Sequence, residues 1–323
     1  MAELSVRRGV GSDLSSIIEL LATSMHRNPT EPFEALFRWK HLENPFGESP
    51  SWVACDGERI VGFRTFLRWE FLRNGTVVRA VRAVDTATHP DYQGRGIFTL
   101  LTTSAVEELR ADGVDLIFNT PNDKSRPGYL KMGWQQVGHL AARARVTNPA
   151  ALVRISASRV PASIWSVPST VGLHPNDAFA ESTSLDQLLD SQPRSSGIET
   201  RRSAEFLRWR YGFEPLHYRV VAGDGGIDSG LAVFRLRRRG RATEAALTDV
   251  LAPHGDSALR RRLVGHAARA ANADYTLTLG RGSRSRFSLR LPGGPILTAR
   301  SLSDAAVPLL PEWDLSLGDI ELF

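Results

Sequence analysis

Residues 84–98 read Val84-Asp-Thr-Ala-Thr-His-Pro-Asp-Tyr-Gln-Gly-Arg-Gly-Ile-Phe98. The start of this stretch is typical of a strand, and a polar segment containing Gly94 and Gly96 separates it from an amphipathic helix that begins near Ile97. Glycine allows successive backbone N–H groups to converge without side-chain obstruction, and these groups lie at the positive end of the helix. The stretch therefore predicts an anion-binding cradle.

The surroundings of this stretch exclude two other phosphate-binding loops. A P-loop needs Gly-Lys-Ser or Gly-Lys-Thr, which residues 84–98 do not contain. A Rossmann fingerprint needs a short parallel βαβ unit, whereas Asn74-Gly75 predicts a tight hairpin just before this strand. The cradle thus belongs to a mixed sheet with an antiparallel part.

The elements on both sides of the cradle predict a mixed α/β domain. Apolar periodicity, turn signals and caps place them in a regular order along the first half of the chain. The predicted elements are a strand at residues 4–8, a helix beginning near residue 14, a helix at 32–42, strands at 51–55, 59–72 and 76–88, a helix at 97–110, a strand at 114–118, a short helix at 127–132 and a closing strand at 136–146.

This arrangement resembles motif A of the GCN5-related N-acetyltransferases, the GNAT superfamily. That motif has Gln or Arg, two variable residues, Gly, one variable residue, then Gly or Ala. Gln93, Gly96 and Phe98 occupy the defined positions, and Phe98 departs from the last. The resemblance covers roughly residues 3–146 and implies a site for acetyl-coenzyme A or another acyl-coenzyme A, with no metal. The implied coenzyme A contacts are Thr86, Ala87, Thr88, Gln93, Gly94, Arg95, Gly96, Ile97, Phe98 and Asn122.

Two of these assignments have alternatives. Asn122 resembles the family's amide side chain that holds the pantetheine arm, but asparagine at this position is also typical of a turn. The large side chain of Phe98 narrows the helix entrance or packs under the pyrophosphate.

Thioester aminolysis needs a neutral amine, oxyanion stabilisation and a proton for the departing thiolate. Tyr129, in the segment 128–134, resembles the family's tyrosine that supplies this proton; packing of its helix is the alternative. The resemblance also implies that the strand before the glycine-rich loop splays away from the strand at 114–118, and that the thioester enters this gap. Asp85 lies near the expected splay and is the candidate base, and we expect burial to raise its pKa. Pairing with Arg82 or a neighbouring strand is the alternative for Asp85, and His89 is the rival base.

The second half of the chain repeats the first. The segment 206–210 echoes 37–40, and the strand, Asp-Gly turn and strand of 52–64 recur at 218–235. The loop 253–259 lacks the glycine-rich turn, so the second copy is predicted to bind no nucleotide. Two unrelated α+β halves are the alternative.

The sequence thus predicts two tandem GNAT-like domains. The divisions are a catalytic domain at 1–147, a connector with short helices at 148–200, and a second GNAT-like domain without a cofactor loop at 201–323. The layout resembles the enhanced intracellular survival acetyltransferases, whose C-terminal carboxylate serves as base. That resemblance implies the C-terminal carboxylate, carried by Phe323, as a further candidate base; the alternative is that the last residues only finish a strand.

Composition limits the remaining classes. The net charge is +5, with Lys40, Lys124 and Lys131 the only lysines. A lone cysteine, Cys55, excludes an intramolecular disulfide, and the absence of zinc-ligand spacings argues against a structural zinc. No leader-like or membrane-spanning apolar run occurs, so we expect a cytoplasmic protein without a membrane partner. We expect the arginine-rich end of the strand near Gly240 to be a solvated edge; it contains Arg235, Arg237, Arg238 and Arg239.

The predicted reaction is transfer of an acyl group from coenzyme A to a primary amine of a small molecule. Two alternatives remain open. A transferase using acyl- or aminoacyl-tRNA has tRNA as partner, held by an arginine-rich face. A non-catalytic coenzyme A-binding protein is the other alternative, and Phe98 is its support. Four tryptophans either line an acceptor pocket or form core: Trp39, Trp52, Trp69 and Trp134.

Overall fold

The computed structural model describes residues 4–25, 30–147, 151–156, 160–180, 182–280, 288–291 and 293–321. The strands are β1 (Ser5–Arg8), β2 (Ser51–Asp56), β3 (Arg59–Arg73), β4 (Thr76–Thr88), β5 (Leu116–Asn119), β6 (Gln135–His139), β7 (Ala142–Val146), β8 (Ser166–Val167), β9 (Ile198–Thr200), β10 (Arg219–Gly223), β11 (Gly226–Arg239), β12 (Ala242–Leu251), β13 (Tyr275–Leu279), β14 (Leu289–Arg290), β15 (Ile296–Ser301) and β16 (Trp313–Asp314). The helices are α1 (Leu14–Met25), α2 (Phe33–His41), α3 (Ile97–Ala111), α4 (Arg126–Lys131), α5 (Leu152–Ser156), α6 (Pro175–Ala178), α7 (Ser182–Asp190), α8 (Ala204–Gly212) and α9 (Ser257–Ala270).

The first sheet has the strand order β1-β2-β3-β4-β5-β15-β6 among the described residues, and β9 adds to β3 while β16 adds to β9. The strands β1 to β4 form an antiparallel meander, and α3 makes the crossover to the parallel strand β5. The apolar stripe of α3 packs into one core on the sheet, and α1 packs into another. The predicted element order from β1 through α4 is confirmed.

The predicted closing strand at 136–146 is wrong, because this segment forms two strands in different sheets. β6 pairs with β15 in the first sheet, and β7 pairs with β13 in the second. Between them, the Ala142 N–H donates to the Leu140 carbonyl in a tight turn, and the Leu140 N–H donates to Pro295. These bonds end one ladder and redirect the chain into the next.

The second sheet has the order β10-β11-β12-β13-β7-β14, with β8 on β11, again among the described residues. β11 and β12 are antiparallel, and α9 crosses over to the parallel strand β13. The meander, crossover helix and parallel strand of the first half therefore recur in the second. Both halves are mixed α/β structures.

The two halves exchange strands reciprocally. β15, from the second half, lies beside β5, while β7, from the first half, lies beside the equivalent strand β13. The repeated helices α2 and α8 also meet: the indole N–H of Trp39 donates to the Trp209 carbonyl, and that of Trp209 donates to the Trp39 carbonyl, both at 2.8 Å. Such reciprocity supports a duplicated architecture; the divisions at 147 and 200 stay a prediction.

The expectation of a solvated arginine edge at the end of β11 is wrong for Arg235 and Arg237, whereas Arg238 is exposed as expected. Arg235 is fully buried, and Arg237 is half-buried. Both make ion pairs with the buried carboxylate of Glu321, which Arg210 also approaches. Burial alone raises the pKa of the Glu321 carboxyl, but Arg235, Arg237 and Arg210 outweigh it and hold that pKa below its usual value. The arginines thus fix the C-terminal segment inside the molecule.

Two further expectations concern large apolar features. Trp39, Trp52, Trp69 and Trp134 are buried in the two main cores, which confirms their core role. Within the described ranges, no helix combines the length and apolar character that a membrane crossing requires.

Candidate active site

The predicted cradle forms a turn between β4 and α3. His89 begins a single 3-10 turn at Pro90–Tyr92, and the following glycines, Gly94 and Gly96, adopt left-handed φ values of 75° and 76°. An L-residue is strained in this region. A Cβ atom built on either glycine meets no other atom within 4 Å, so the space in front of the loop is open.

The backbone amides of residues 94–99 find no hydrogen-bond acceptor within the described part of the chain. The residues around Gly94 and Gly96 are exposed, and the amides from Ile97 onward belong to the first turn of α3. Free amides at a helix N-terminus carry partial positive charge and point towards solvent or ligand. The segment therefore has the donors that an anionic diphosphate needs.

A splay between β4 and β5 lies beside the cradle. The two strands pair only where Ala80–Arg82 faces Leu116–Phe118, although β4 continues to Thr88 along β3. In the described ladders, Thr86, Ala87 and Thr88 have no strand on the β5 side. An extended arm can add to such an edge as an extra strand.

Tyr129 lies on α4 at the side of this opening and is buried, with 3% exposure. Its phenol oxygen accepts a hydrogen bond of 2.7 Å from the guanidinium of Arg64 on β3. The ring of Phe98 packs edge-on against Tyr129, with centroids 5.4 Å apart. Phe98 thus turns towards α4, and it links the first turn of α3 to the candidate acid.

Asn122 caps the segment before α4. Its side-chain oxygen accepts hydrogen bonds from the N–H groups of Lys124 and Ser125 and from the Ser125 hydroxyl. This is the turn role that the sequence left open. In the loop itself, Gln93 is exposed, and Arg95 lies over the ring of Tyr92 with its guanidinium 4.6 Å from the centroid.

The expectation that the pKa of Asp85 is raised is wrong. Burial acts in that direction, but the ammonium of Lys40 and the hydrogen bond from His41 outweigh it and hold the Asp85 pKa well below its usual value. The Asp85 carboxylate makes an ion pair with Lys40 and lies 2.8 Å from His41 Nε2. Both partners belong to α2, so Asp85 pairs with a helix.

Asp85 also has an unusual backbone. It is the extra residue of a bulge in β4, because Arg64 faces Thr86 and Thr65 faces Val84. Its φ is +34°, which is rare for a residue with a side chain. The bulge turns the carboxylate towards α2.

The second half repeats this tie between strand and helix. Asp249 on β12 accepts a hydrogen bond of 2.5 Å from the hydroxyl of Tyr211 on α8. Position for position, Tyr211 corresponds to His41, because each follows the repeated tryptophan by two residues. The second half has no glycine-rich loop, so a buried aspartate at this place fits a structural link between the meander and its helix.

The other candidate bases differ in their surroundings. His89 Nδ1 accepts a hydrogen bond from the Asp91 N–H, and its Nε2 lies 2.8 Å from Arg59. His89 thus caps the 3-10 turn at Pro90–Tyr92. Phe323 lies outside the described residues.

The C-terminal segment reaches the splay from the second half. Arg82, fully buried on β4, donates to the carbonyls of Asp319 and Ile320 and to the Thr120 hydroxyl. The end of the described chain therefore lies next to the last paired residues of β4 and β5. No sequence pattern indicated this contact, because Arg82 and Asp319 lie far apart along the chain.

Arg64 is a site residue that sequence reasoning missed. It lies within β3, where the residues from Ile60 to Leu67 are all buried. A single charged residue in a stretch such as 60–67, which is buried on both faces, is unusual. The single charged residue in the segment 60–67 was therefore the sequence signal by which Arg64 could have been identified.

Comparisons with known proteins agree with this geometry. Residues 5–137 match the family model of the acetyltransferase (GNAT) domain. No curated protein sequence matches the chain.

Several solved structures share the fold over both halves. One is a probable N-acyltransferase from Enterococcus faecalis V583, with 13% identity over 93% of this chain and 73% of that chain, at a TM-score of 0.65. Another is a GCN5-related N-acetyltransferase from Anabaena variabilis ATCC 29413, with 11% identity, the same coverages and a TM-score of 0.64. A third, Eis1 from Mycobacterium abscessus, has 15% identity over 93% of this chain and 74% of that chain, at 0.58.

Proposed function

Since residues 5–137 form a GNAT acetyltransferase domain, we propose that the chain is an N-acyltransferase that moves an acetyl or other acyl group from coenzyme A to a primary amine of a small molecule. The observation that carries this proposal is the row of amides at residues 94–99, which have no acceptor in the described chain and face open space. Acyl transfer is the chemistry of the domain family; the small-molecule amine is the proposed part.

The coenzyme A contacts of the proposal follow the cradle and the splay. The diphosphate lies on the amides between Gly94 and Phe98, and the pantetheine arm runs along Thr86–Thr88. Gln93 and Arg95 flank the phosphates at the exposed rim. Asn122 contributes through the turn before α4, because its side-chain oxygen is already used there.

The proposed mechanism is direct transfer. The neutral amine attacks the thioester carbonyl and forms a C–N bond, and backbone N–H groups of the splayed strand stabilise the oxyanion. Collapse of the tetrahedral intermediate breaks the C–S bond, and its electron pair leaves with sulfur. Tyr129 gives the thiolate a proton, and the proton lost by the nitrogen goes to a base or to water.

Asp85 has a limited part in this mechanism. A carboxylate with a strongly lowered pKa is a weak proton acceptor. We therefore propose that Asp85 acts as the fixed negative charge that holds His41 and Lys40 on the α2 side of the splay, and that water carries the proton away from the amine.

Thermal shifts with acetyl-coenzyme A, longer acyl-coenzyme A species, free coenzyme A and tRNA test the donor. A ligand present at 100 times its Kd stabilises the native state by about 2.7 kcal/mol, which raises the Tm by several degrees. We expect a shift with the coenzyme A species and none with tRNA. No shift and no heat of binding with any coenzyme A species would contradict the proposal; an RNase-sensitive shift with tRNA alone would favour the tRNA-dependent alternative.

The burial of four arginine side chains weakens the tRNA alternative. Arg64, Arg82, Arg210 and Arg235 are each at most 1% exposed, so their charges cannot contribute to a phosphate-binding face.

Turnover with a panel of primary amines tests catalysis. Wild-type enzyme should release free coenzyme A with at least one amine, and Tyr129→Phe should lower kcat by about 100-fold, the usual contribution of general acid catalysis. Coenzyme A binding without turnover of any amine would favour the non-catalytic alternative.

A further inference from the structure

Arg64 presents an unusual electrostatic situation. Its side chain is 1% exposed, and within the described residues it makes no ion pair with a carboxylate. Its Nε atom is buried without a hydrogen-bond partner. Burying a charge without a counter-ion is strongly unfavourable, so an arginine at such a place needs a compensating role.

Three aromatic rings surround this guanidinium. Its central carbon lies 4.7 Å from the ring centre of Phe66, 5.4 Å from that of Tyr129 and 5.5 Å from that of Phe98. Cation–π contacts offset part of the desolvation cost. The rings also keep the guanidinium in one place, because they leave it little room.

The hydrogen bond from Arg64 determines which atoms of the Tyr129 hydroxyl remain available. The Arg64 guanidinium donates to the phenol oxygen, so it uses an oxygen lone pair and not the hydroxyl hydrogen. In the described part of the chain, no acceptor takes that hydrogen. It is therefore free for a group that enters from the splay.

The position of Arg64 on β3 matches this arrangement. Arg64 faces Thr86 in the β3–β4 ladder, and Thr86 is one of the proposed contacts of the pantetheine arm. Directly opposed residues of antiparallel strands have their side chains on the same face of the sheet, so the guanidinium lies on the face of Thr86. Tyr129 lies next to it. Phe98 connects the same group to the start of α3.

We propose that Arg64 is a positioning residue for the protonation of the leaving thiolate. As the C–S bond breaks, sulfur receives the electron pair and takes the hydroxyl proton of Tyr129. The phenolate that remains lies beside the Arg64 cation, which stabilises it until solvent returns a proton. Arg64 holds the phenol oxygen throughout and acts only through Tyr129. The inference rests on the proposed function.

A double-mutant cycle tests this role, because two groups that act as one unit have non-additive effects. We expect Arg64→Met to lower kcat about 10- to 100-fold, the effect of losing a hydrogen bond to a charged group, with the KM for acyl-coenzyme A nearly unchanged. In the Tyr129→Phe background, the same substitution should lower kcat by less than about twofold.

Arg64→Lys is a second variant that keeps the test valid where Arg64→Met does not fold, because lysine keeps a cation among the rings. We expect its kcat to lie between those of wild type and Arg64→Met, and its effect also to vanish in the Tyr129→Phe background. Arg300→Met is the control, because the half-buried Arg300 also makes a cation–π contact: its guanidinium lies 5.3 Å from the ring centre of Trp134, which shares a core with Tyr129. No contact between Arg300 and Tyr129 occurs among the described interactions. Its kcat should stay near the wild-type value.

Two outcomes overturn the inference, and they differ from failure of the proposed function. If Arg64→Met or Arg64→Lys lowers kcat equally in the wild-type protein and in the Tyr129→Phe variant, the arginine acts independently of the phenol. A rise in the acyl-coenzyme A KM that accounts for the whole effect would show a binding role instead. Failure of the proposed function appears earlier, as absent coenzyme A binding by the wild-type protein.

Discussion

His41 is a neutral, buried histidine in a hydrogen-bonded row. Its Nε2 lies 2.8 Å from Asp85 and its Nδ1 lies 2.9 Å from the Ser49 hydroxyl. Because an ionised carboxylate only accepts hydrogen bonds, Nε2 carries the ring proton and Nδ1 accepts from Ser49. Burial lowers the pKa of His41 to about 4, and the nearby Lys40 charge acts in the same direction, against the opposing effect of Asp85.

This burial makes the stability of the protein depend on pH. The unfolded chain protonates His41 near pH 6.5, and the native protein does so only near 4. Between these values the unfolded state binds more protons, so the free energy of unfolding should fall as the pH is lowered from 6.5 to 4. The expected slope from this group is roughly 1.4 kcal/mol per pH unit.

Urea unfolding at several pH values between 4 and 7.5 measures this slope. His41→Gln provides the comparison, since glutamine can replace both hydrogen bonds but does not titrate. We expect the variant to have a shallower dependence on pH within the same window. Equal slopes for the two proteins would contradict the low pKa of His41.

At the scale of single residues, predictions failed where the partners of a side chain lie far away along the chain. The turn at Gly94 and Gly96 was predictable from the sequence because it depends on local backbone geometry. The coenzyme A contacts of these glycines and the acid role of Tyr129 stay predictions. The pKa of Asp85 was predicted in the wrong direction, because Lys40 and His41 come from a helix that no local pattern places next to β4.

The turn into α3 shows how one element depends on backbone geometry. Gly96 is the N-cap of α3, with φ 76° and ψ 9°. Gly96→Ala should lower the free energy of unfolding by about 1–2 kcal/mol, because an L-residue is strained there. The added methyl group also enters the open space before the amides, so we expect acyl-coenzyme A affinity to fall by about tenfold or more, as for loss of a hydrogen bond to a charged group.

Gly113 offers a matched control at the other end of the same helix. Its φ is 75°, and a Cβ there makes only an ordinary contact, 3.5 Å from Arg79. Gly113→Ala should cost similar stability and leave acyl-coenzyme A binding unchanged by calorimetry. If both variants weaken binding equally, the effect of Gly96→Ala comes from general destabilisation and not from the cradle.

Elements formed by local pattern were predictable, and those that depend on distant pairing were not. The helices α1 to α3 and the β3–β4 hairpin have strong periodicity and turn signals. The segment 136–146 reads as one strand, but its halves pair with strands roughly 130 to 160 residues further along the chain, at β13 and β15.

The exchange of β7 and β15 makes the two halves of the molecule interdependent. β15 lies between β5 and β6, and its Leu297 and Ala299 are fully buried in the main core. A fragment of residues 1–147 lacks these side chains. Its strands β5 and β6 also lose β15, which pairs with both of them. We expect this fragment not to unfold cooperatively, as measured by urea titration with circular dichroism.

Adding the separate fragment 148–323 is the control for this prediction. If the halves complete each other, the mixture should regain a cooperative transition and acyl-coenzyme A binding. A cooperative transition in the fragment 1–147 alone would show that the first half is independent and that the exchanged strand is dispensable.

The duplicated layout was predictable at the scale of the whole molecule, whereas the interior charges were not. The repeated Arg-Trp motif and the repeated strand order predict two similar halves, and α2 and α8 indeed meet through Trp39 and Trp209. The buried arginines of β11 look like a surface edge in the sequence, since their partner Glu321 lies 86 residues beyond Arg235. Long-range ion pairs leave no local pattern.

The position of β15 also affects how the chain is made. During synthesis, β5 and β6 leave the ribosome long before the strand that separates them, with more than 150 residues still to be translated. At 5–20 residues per second this interval lasts on the order of 10–30 s. Throughout that time, the nascent chain exposes the unpaired edges of β5 and β6. Slow codons between positions 140 and 296, or too little chaperone while they are translated, should therefore reduce the yield of folded protein.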